Sequence, residues 1–314
     1  MAQYSRVWEQ VKRNRNAYIF IAPFYVMFLL FMLFPILFSL YLSFLQWNGI
    51  MAPRFVGLEN YVNALTDENF HGAVVNTFVF TVLTVTFATL VGLGLAIFLN
   101  SVRFMKRFYR GVFFIPSVVS LVVVSLLWKL MLNSEVGLVN EVIHSMGQTI
   151  GHYTGHIPEW TQRKFQFIDH PNQWVPLLTI TGVNLWAVVG FNTVIYLAGL
   201  QSIPANLYEV SRLDGATPLQ NLRYITIPLL RPTTFFVILI TTIDALQVFV
   251  QPQVMNRDNE STMTIVYYLF RNAFEFYKMG YASAIAYMLF ALTVGISLVI
   301  RHTLGRRTRL AAVE

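Results

Sequence analysis

"WVPLLTITGVNLWAVVGFNTVIYLAGL", Trp174 to Leu200, contains no charged side chain. It exceeds the ~20 apolar residues that cross ~30 Å of hydrocarbon. In lipid a lone segment satisfies its backbone hydrogen bonds only as a helix. A different stretch follows almost at once: "LYEVSRLDGATPLQNLRYITIPLLRP", Leu207 to Pro232, with Glu209, Arg212, Asp214, Arg223 and Arg231. It is too polar to span a bilayer and too patterned for a casual connection. Spanning helices and patterned polar loops therefore alternate in this part of the chain.

The rest of the chain repeats the theme. Of 314 residues, 56% are hydrophobic and 12% charged, against about a quarter charged in a typical soluble domain. That balance points to a polytopic membrane protein. Six apolar runs stand out: Ala17–Phe44, Val74–Leu99, Val112–Leu132, Trp174–Leu200, Thr233–Gln251 and Tyr281–Ile300. Each predicts one transmembrane helix, so the expected fold is an all-α membrane protein with six spans across residues 17–300. Pro35 is expected to kink the first helix. That run is too long for a leader and lacks a small-residue cleavage site, so it is read as a retained helix. The chain has no cysteine, which excludes disulfides and thiolate metal sites.

Lys and Arg set the orientation. The tail at 1–16 (Arg6, Lys12, Arg13, Arg15), the loop with Arg103, Lys106, Arg107 and Arg110, the stretch at 201–232, and the tail at 301–314 (Arg301, Arg306, Arg307, Arg309) hold fifteen. The other side holds six: Arg54, Arg163, Lys164, Arg257, Arg271 and Lys278. The excess predicts that both termini and the 201–232 loop are cytoplasmic. The +7 net charge suggests nucleic acid until its placement is read. The cations cluster at the ends of apolar runs, so no nucleic-acid partner is expected.

Within the loop, Ser202 is an N-cap candidate with Pro204 in the first turn. Leu207, Val210 and Leu213 recur at helical spacing and Gly215 stops the helix. Pro218 opens a second short helix, and Pro228 and Pro232 break the chain again. Chemistry alone leaves two readings open. The helix lies at the lipid headgroups, or it docks a cytoplasmic partner.

Glu209, Gly215, Ile225 and Pro228 fall as E-x5-G-x9-I-x2-P. This resembles the "EAA" loop of the membrane subunits of binding-protein-dependent ABC importers. The stretch "IPANLYEVSRLDGATPLQNLRYITIPLL" is similar to the maltose-type sugar permease, as are "RGVFFIPSVVS" at 110–120 and "GYASAIAYMLF" at 280–290. The resemblance covers roughly residues 15–305. Val210 and Ser211 depart from the small residues that usually follow the Glu, Val210 the more because it is bulkier.

The resemblance implies a type I ABC importer permease fold in a bacterial or archaeal cytoplasmic membrane. It implies a second permease in a heterodimer, two copies of a cytoplasmic ATPase and an extracellular or periplasmic sugar-binding protein, with lipid around the spans. In the family the loop helix fits a cleft on the ATPase, which assigns coupling to Leu207, Glu209, Val210, Leu213, Asp214 and Gly215. Leu207, Val210 and Leu213 would seat the helix, Glu209 would pair with a basic residue, and Gly215 would turn the chain. The chain contains no GxxxxGK[ST] sequence. ATP and Mg are therefore expected on the partner ATPases, with no cofactor and no enzymatic activity in this chain.

Polar side chains inside membrane helices are costly and usually face a cavity or one another. Asn192, Thr242 and Gln251 are expected to bond between helices. Asp244, Gln247 and Gln251 fall at i, i+3 and i+7, one face of a regular helix. In the maltose-type permease, sugar-contacting residues lie on the fourth and fifth helices. The matching positions are Asn184, Val188, Phe191, Asp244 and Gln247. Amides and a carboxylate suit sugar hydroxyls, and an aromatic face suits a pyranose. Glycerol 3-phosphate, carried by relatives, would want cations, and the membrane core offers only Lys129, near its outer end.

Other features carry less. His152 and His156 would share a helix face as zinc ligands, but Gly151 and Gly155 oppose a helix there. His144 and Glu141 lie nearby. Gly92 and Gly94 sit inside an apolar run and are read as packing residues. An ion-coupled carrier would bind a proton or sodium at Asp244 and show internal repeats; none is visible. An intramembrane enzyme using Asp244 lacks a nucleophile–base pair.

Overall fold

The computed structural model describes residues 13–102, 106–257 and 259–305. Arg6, Lys12, Arg103, Arg306, Arg307 and Arg309 of the charge argument lie outside them. The described chain is mostly helical, and its contacts divide it into two units, 1–66 with 269–288, and 67–268 with 289–314.

In the first unit the apolar N-terminal run is helical from Arg15 to Ser43. Pro35 does not break it. Residues Leu29–Leu33 widen into a π turn, with the Phe34 N–H bonded to the Leu29 carbonyl. The wider turn ends just ahead of the proline, whose ring would otherwise crowd the carbonyl four residues back. Its most apolar window buries nothing within the structure, and Phe20 and Phe31 are 86% and 74% exposed. A two-residue hairpin follows, Leu45 paired with Phe55 and Gln46 with Arg54. Asn60 on the Glu59–Thr66 helix donates to the carbonyls of Ser43 and Leu45, each at 2.9 Å.

In the second unit the Glu68–Ser101 helix packs along the Trp174–Gln201 helix. It is longer than its apolar core, Val74–Leu99, because Asp67 caps its first turn. The Asp67 Oδ1 accepts from the N–H groups of Asn69 and Phe70 at 2.9 and 3.4 Å. Ala73, Thr77, Phe80, Thr84, Ala88 and Ala96 form much of its buried face, at helical spacing. A Cβ on Gly92 would lie 3.1 Å from Asn192 Cβ, so this glycine does permit close packing; one on Gly94 would meet nothing. Gly190 on the facing helix has less room still, since a Cβ there would lie 2.2 Å from the Phe113 carbonyl oxygen.

Five helices are long and apolar enough to span a bilayer: Tyr18–Ser43, Glu68–Ser101, Trp174–Gln201, Arg231–Met255 and Met279–Thr303. The third run, Val112–Leu132, is not the single straight helix expected. It is two helices, Lys106–Val118 and Leu121–Met131, and the apolar pair Phe108–Val118 and Leu121–Met131 is bent by 94°. Pro116 cannot donate to the Val112 carbonyl. Ser120, extended at ψ 128°, then starts the next helix.

The connection between the third and fourth runs also departs from expectation. A helix runs Leu138–Thr154, through Gly151, and ends at Gly155 with φ +71°. The glycines serve packing. A Cβ on Gly147 would lie 1.9 Å from Thr161 Oγ1, and one on Gly151 2.4 Å from Ile157 Cγ1. His156 lies beyond the helix end, so it does not share a face with His152. His144 Nδ1 lies 3.3 Å from the Thr161 carbonyl oxygen. Among the described residues no three His, Cys, Asp or Glu side chains come together.

Candidate functional site

Two places carry the candidate residues, and both lie in the second unit. The first is the polar stretch after Leu200. Ser202 does not start its helix. Its Oγ donates to the Gly199 carbonyl at 2.8 Å and closes the preceding helix instead. Pro204, extended at ψ 129°, is the N-cap of the Ala205–Leu213 helix. The end is as the glycine predicts. Gly215 sits at φ +75°, its N–H bonds the Arg212 carbonyl, and the Ala216 N–H reaches back to Ser211 at 2.9 Å. This pair is a Schellman closure, which needs a left-handed residue at that position. Thr217 and Gln220 then form a capping box on the Pro218–Asn221 helix. A second π turn, Leu222–Thr226, precedes Pro228 as the first precedes Pro35.

The Ala205–Leu213 helix buries no residue. Among the described residues one side-chain hydrogen bond ties it to the rest of the chain: the Tyr208 hydroxyl meets Thr226 Oγ1 at 2.9 Å, and Thr226 is buried. Leu207, Val210 and Leu213 are 39%, 56% and 88% exposed. Glu209, Asp214 and Gly215 are exposed too. The six residues expected to couple therefore lie on one open element. Among the described residues Leu213 leaves almost its whole side chain exposed, which is costly in water.

The second place is the level where the Trp174–Gln201 and Arg231–Leu246 helices meet. Two hydrogen-bonded rungs join the Trp174–Gln201 helix to the fifth run, one to Arg231–Leu246 and one to the Val250–Met255 helix that follows it. Asn192 Nδ2 donates to Thr241 Oγ1 at 3.0 Å, and Thr241 Oγ1 returns a longer bond to Asn192 Oδ1 at 3.4 Å. Gln251 Nε2 donates to Asn184 Oδ1 at 2.8 Å, and both residues are buried. Thr242 bonds its own helix, to the Ile238 carbonyl at 2.6 Å. Val188 lies between the rungs on one helix, and Asp244 and Gln247 between them on the other. Asp244, Gln247 and Phe191 are exposed and Val188 is half-buried. Asn184 differs from the other four, being 7% exposed with its oxygen engaged. Trp186 packs edge-on against Trp128, with ring centres 5.8 Å apart.

Asp244, Gln247 and Gln251 do not share one regular helical face. The helix stops at Leu246 and resumes at Val250. Pro252 accounts for the break, because it has no N–H for the Val248 carbonyl. Thr264 Oγ1 takes that carbonyl instead, at 2.8 Å and buried. Gln251 thereby turns inward to Asn184, while Asp244 and Gln247 stay open. Pro252 was the sequence signal for this. Thr264 is twelve residues further on and gave none.

Residues 88–309 match the family described as binding-protein-dependent transport system inner membrane component. The probable ABC transporter permease protein YurN of Bacillus subtilis is 32% identical over 90% of this chain and 93% of its own length. The arabinooligosaccharides transport system permease protein AraP of the same organism is 30% identical, over 93% and 90%. Among solved structures, a chain of a bacterial ABC transporter for the acidic polysaccharide alginate superposes with a TM-score of 0.80. It has 25% identity, covering 96% of this chain and 99% of that one.

Proposed function

Because the chain belongs to the binding-protein-dependent transport inner membrane family, we propose that it is the permease subunit of an ABC importer for a neutral sugar or oligosaccharide. It works in the cytoplasmic membrane, with the bent Phe108–Met131 pair counted as the sixth span and both termini inside. An external binding protein delivers the sugar. A second permease completes the path, and two copies of a separate ATPase bind ATP and Mg and drive the cycle.

The observation that carries this reading is the Ala205–Leu213 helix, which holds three apolar side chains out at helical spacing from an anchored base. A rigid helix seated in a cleft moves with that cleft, so closure of the ATPases reaches the spans as a lever. Asp244, Gln247, Phe191 and Val188 then line the path. A carboxylate and an amide accept and donate to hydroxyls, and Phe191 offers a ring face. Asn184 acts from behind, holding the broken fifth span against the fourth through Gln251.

Reconstitution with the companion permease, the ATPase and the binding protein tests the proposal. Uptake of neutral oligosaccharide is expected to require ATP and the loaded binding protein. Uptake driven by a proton or sodium gradient without ATP would make the chain a secondary carrier.

A further inference from the structure

We propose that the chain holds a second carbohydrate subsite, separate from the Asp244 level, in a polar cleft at the opposite end of the helix pair from the exposed loop helix. This rests on the sugar-importer reading above. The cleft has a volume of about 610 Å³, within the range of small-molecule sites. It lies wholly in the second unit, where the end of the Leu121–Met131 helix, residues 166–169 and residues 255–260 converge.

Its walls are stitched together by groups that point away from any ligand. Asn256 Nδ2, buried, donates to the Ile168 carbonyl at 3.0 Å. Lys129 Nζ donates to the Val254 carbonyl at 3.1 Å. Thr179 Oγ1 donates to the Phe167 carbonyl at 3.1 Å. The three bonds join four chain segments, so the cleft is formed before anything enters it. Preformed sites save the ordering penalty of binding.

What remains on the wall suits a polyhydroxyl ligand. Among the described residues no hydrogen bond or ion pair holds the side chains of Gln166, Asp169 or Glu260, and all three are exposed. An amide and two carboxylates supply acceptors and donors for hydroxyl groups. The half-buried ring of Phe167 lines the same wall and offers an apolar face. Among the described lining residues, two cations, Lys129 and Arg257, and two carboxylates, Asp169 and Glu260, balance in formal charge. A neutral glycan matches that balance better than a uronate or a phosphate ester, which would want a net positive wall.

Chain order gives the cleft its place in transport. Residues 166–169 run into the start of the Trp174–Gln201 helix, and Arg257 follows the end of the fifth span. The loop helix joins the other ends of these helices. The cleft is thus on the arrival side, where a sugar leaving its carrier could be held before reaching Asp244 and Gln247.

The test uses the assembled complex in detergent, without binding protein, titrated with maltotriose and arabinotriose by saturation-transfer NMR. Binding is expected in the wild type and in Asp244→Ala. In the Asp244→Ala background, which removes the site at that level, it is expected to weaken at least tenfold when Gln166→Ala or Asp169→Ala is added, since neither side chain holds an internal bond among the described residues. Three results overturn the subsite. Neither trisaccharide binds the wild type, binding already vanishes in Asp244→Ala, or the cleft variants weaken only the complex's affinity for sugar-free binding protein. ATP-driven uptake by the same complexes, reconstituted in vesicles with loaded binding protein, separates the two readings. Normal uptake with sugar binding blind to the cleft variants sinks the subsite alone, whereas no uptake of any sugar sinks the importer reading beneath it.

Discussion

The Ala205–Leu213 helix buries no residue, whereas the Trp174–Gln201 helix buries thirteen. The first is held by one hydroxyl pair, Tyr208 with Thr226, and shows Leu207, Val210 and Leu213 to its surroundings. The second is held by side chains that interlock with the second, third and fifth runs, including Gly190 against Phe113 and Asn192 against Thr241. An interior helix is shaped by its own chain. The loop helix obeys rules that its own chain does not supply, because among the described residues its apolar side chains stay exposed, Leu213 most of all. Its spacing makes sense only against something else.

The largest expected effect breaks the loop helix and spares the interior. Gly215→Pro cannot keep φ +75°, and it removes the N–H that closes on Arg212. ATPase activity stimulated by the loaded binding protein is expected to fall to the unstimulated level in reconstituted membranes, while the spans still insert. Glu209→Lys reverses the charge on the same exposed helix and is expected to act in the same direction. Wild-type stimulation in both variants would leave only a lipid-facing helix.

Asp244→Ala probes the interior instead. A carboxylate near the bilayer centre costs at least about 2.5 kcal/mol on insertion scales, and each hydrogen bond it accepts from a hydroxyl is worth about 1.5–3 kcal/mol. Uptake is expected to drop by at least tenfold or to change its sugar preference, with size-exclusion profiles of the complex unchanged. Asp244→Asn is expected to be milder. Loss of the complex in Asp244→Ala would instead mark a structural ion pair with the companion subunit.

Gln251→Leu sharpens the interior side of the comparison. It strands the buried Asn184 oxygen, an effect of about 1–3 kcal/mol. A lower melting temperature of the complex is expected, with the loop helix still coupling. The smallest effect falls on the anchor. Tyr208→Phe removes one hydrogen bond, about 0.5–1.5 kcal/mol, and is expected to halve or quarter stimulated ATPase activity without altering the melting temperature. An unchanged ATPase rate would mean that the rest of the loop holds the helix in place.

Much of this was legible in the sequence because membrane helices obey length and composition. The 174–200 run became the Trp174–Gln201 helix nearly residue for residue. Gly215 and Pro218 marked a helix end and a helix start for backbone reasons that hold in any context. What escaped depended on partners distant in sequence. Periodicity placed Gln251 beside Asp244, but Pro252 broke the helix and Thr264 stabilised the break. Apolarity made 112–132 one span, and the bend after Pro116 left no trace in hydropathy. Helix propensity opposed a helix at Gly151, yet packing against Ile157 outweighed it. Asn184 was picked out as polar in an apolar run. Whether such a residue faces a path or a neighbour depends on the facing helix, and here Gln251 meets it.

The central claim is that a partner ATPase covers the apolar face of the loop helix. The chain has no cysteine, so Leu213→Cys introduces a single thiol at a side chain that is 88% exposed. Its rate of reaction with a membrane-impermeant maleimide is measured in inside-out vesicles holding the two permeases, with and without the ATPase. The account predicts rapid labelling without the ATPase and at least tenfold protection with it. Equal rates in the two preparations would contradict it.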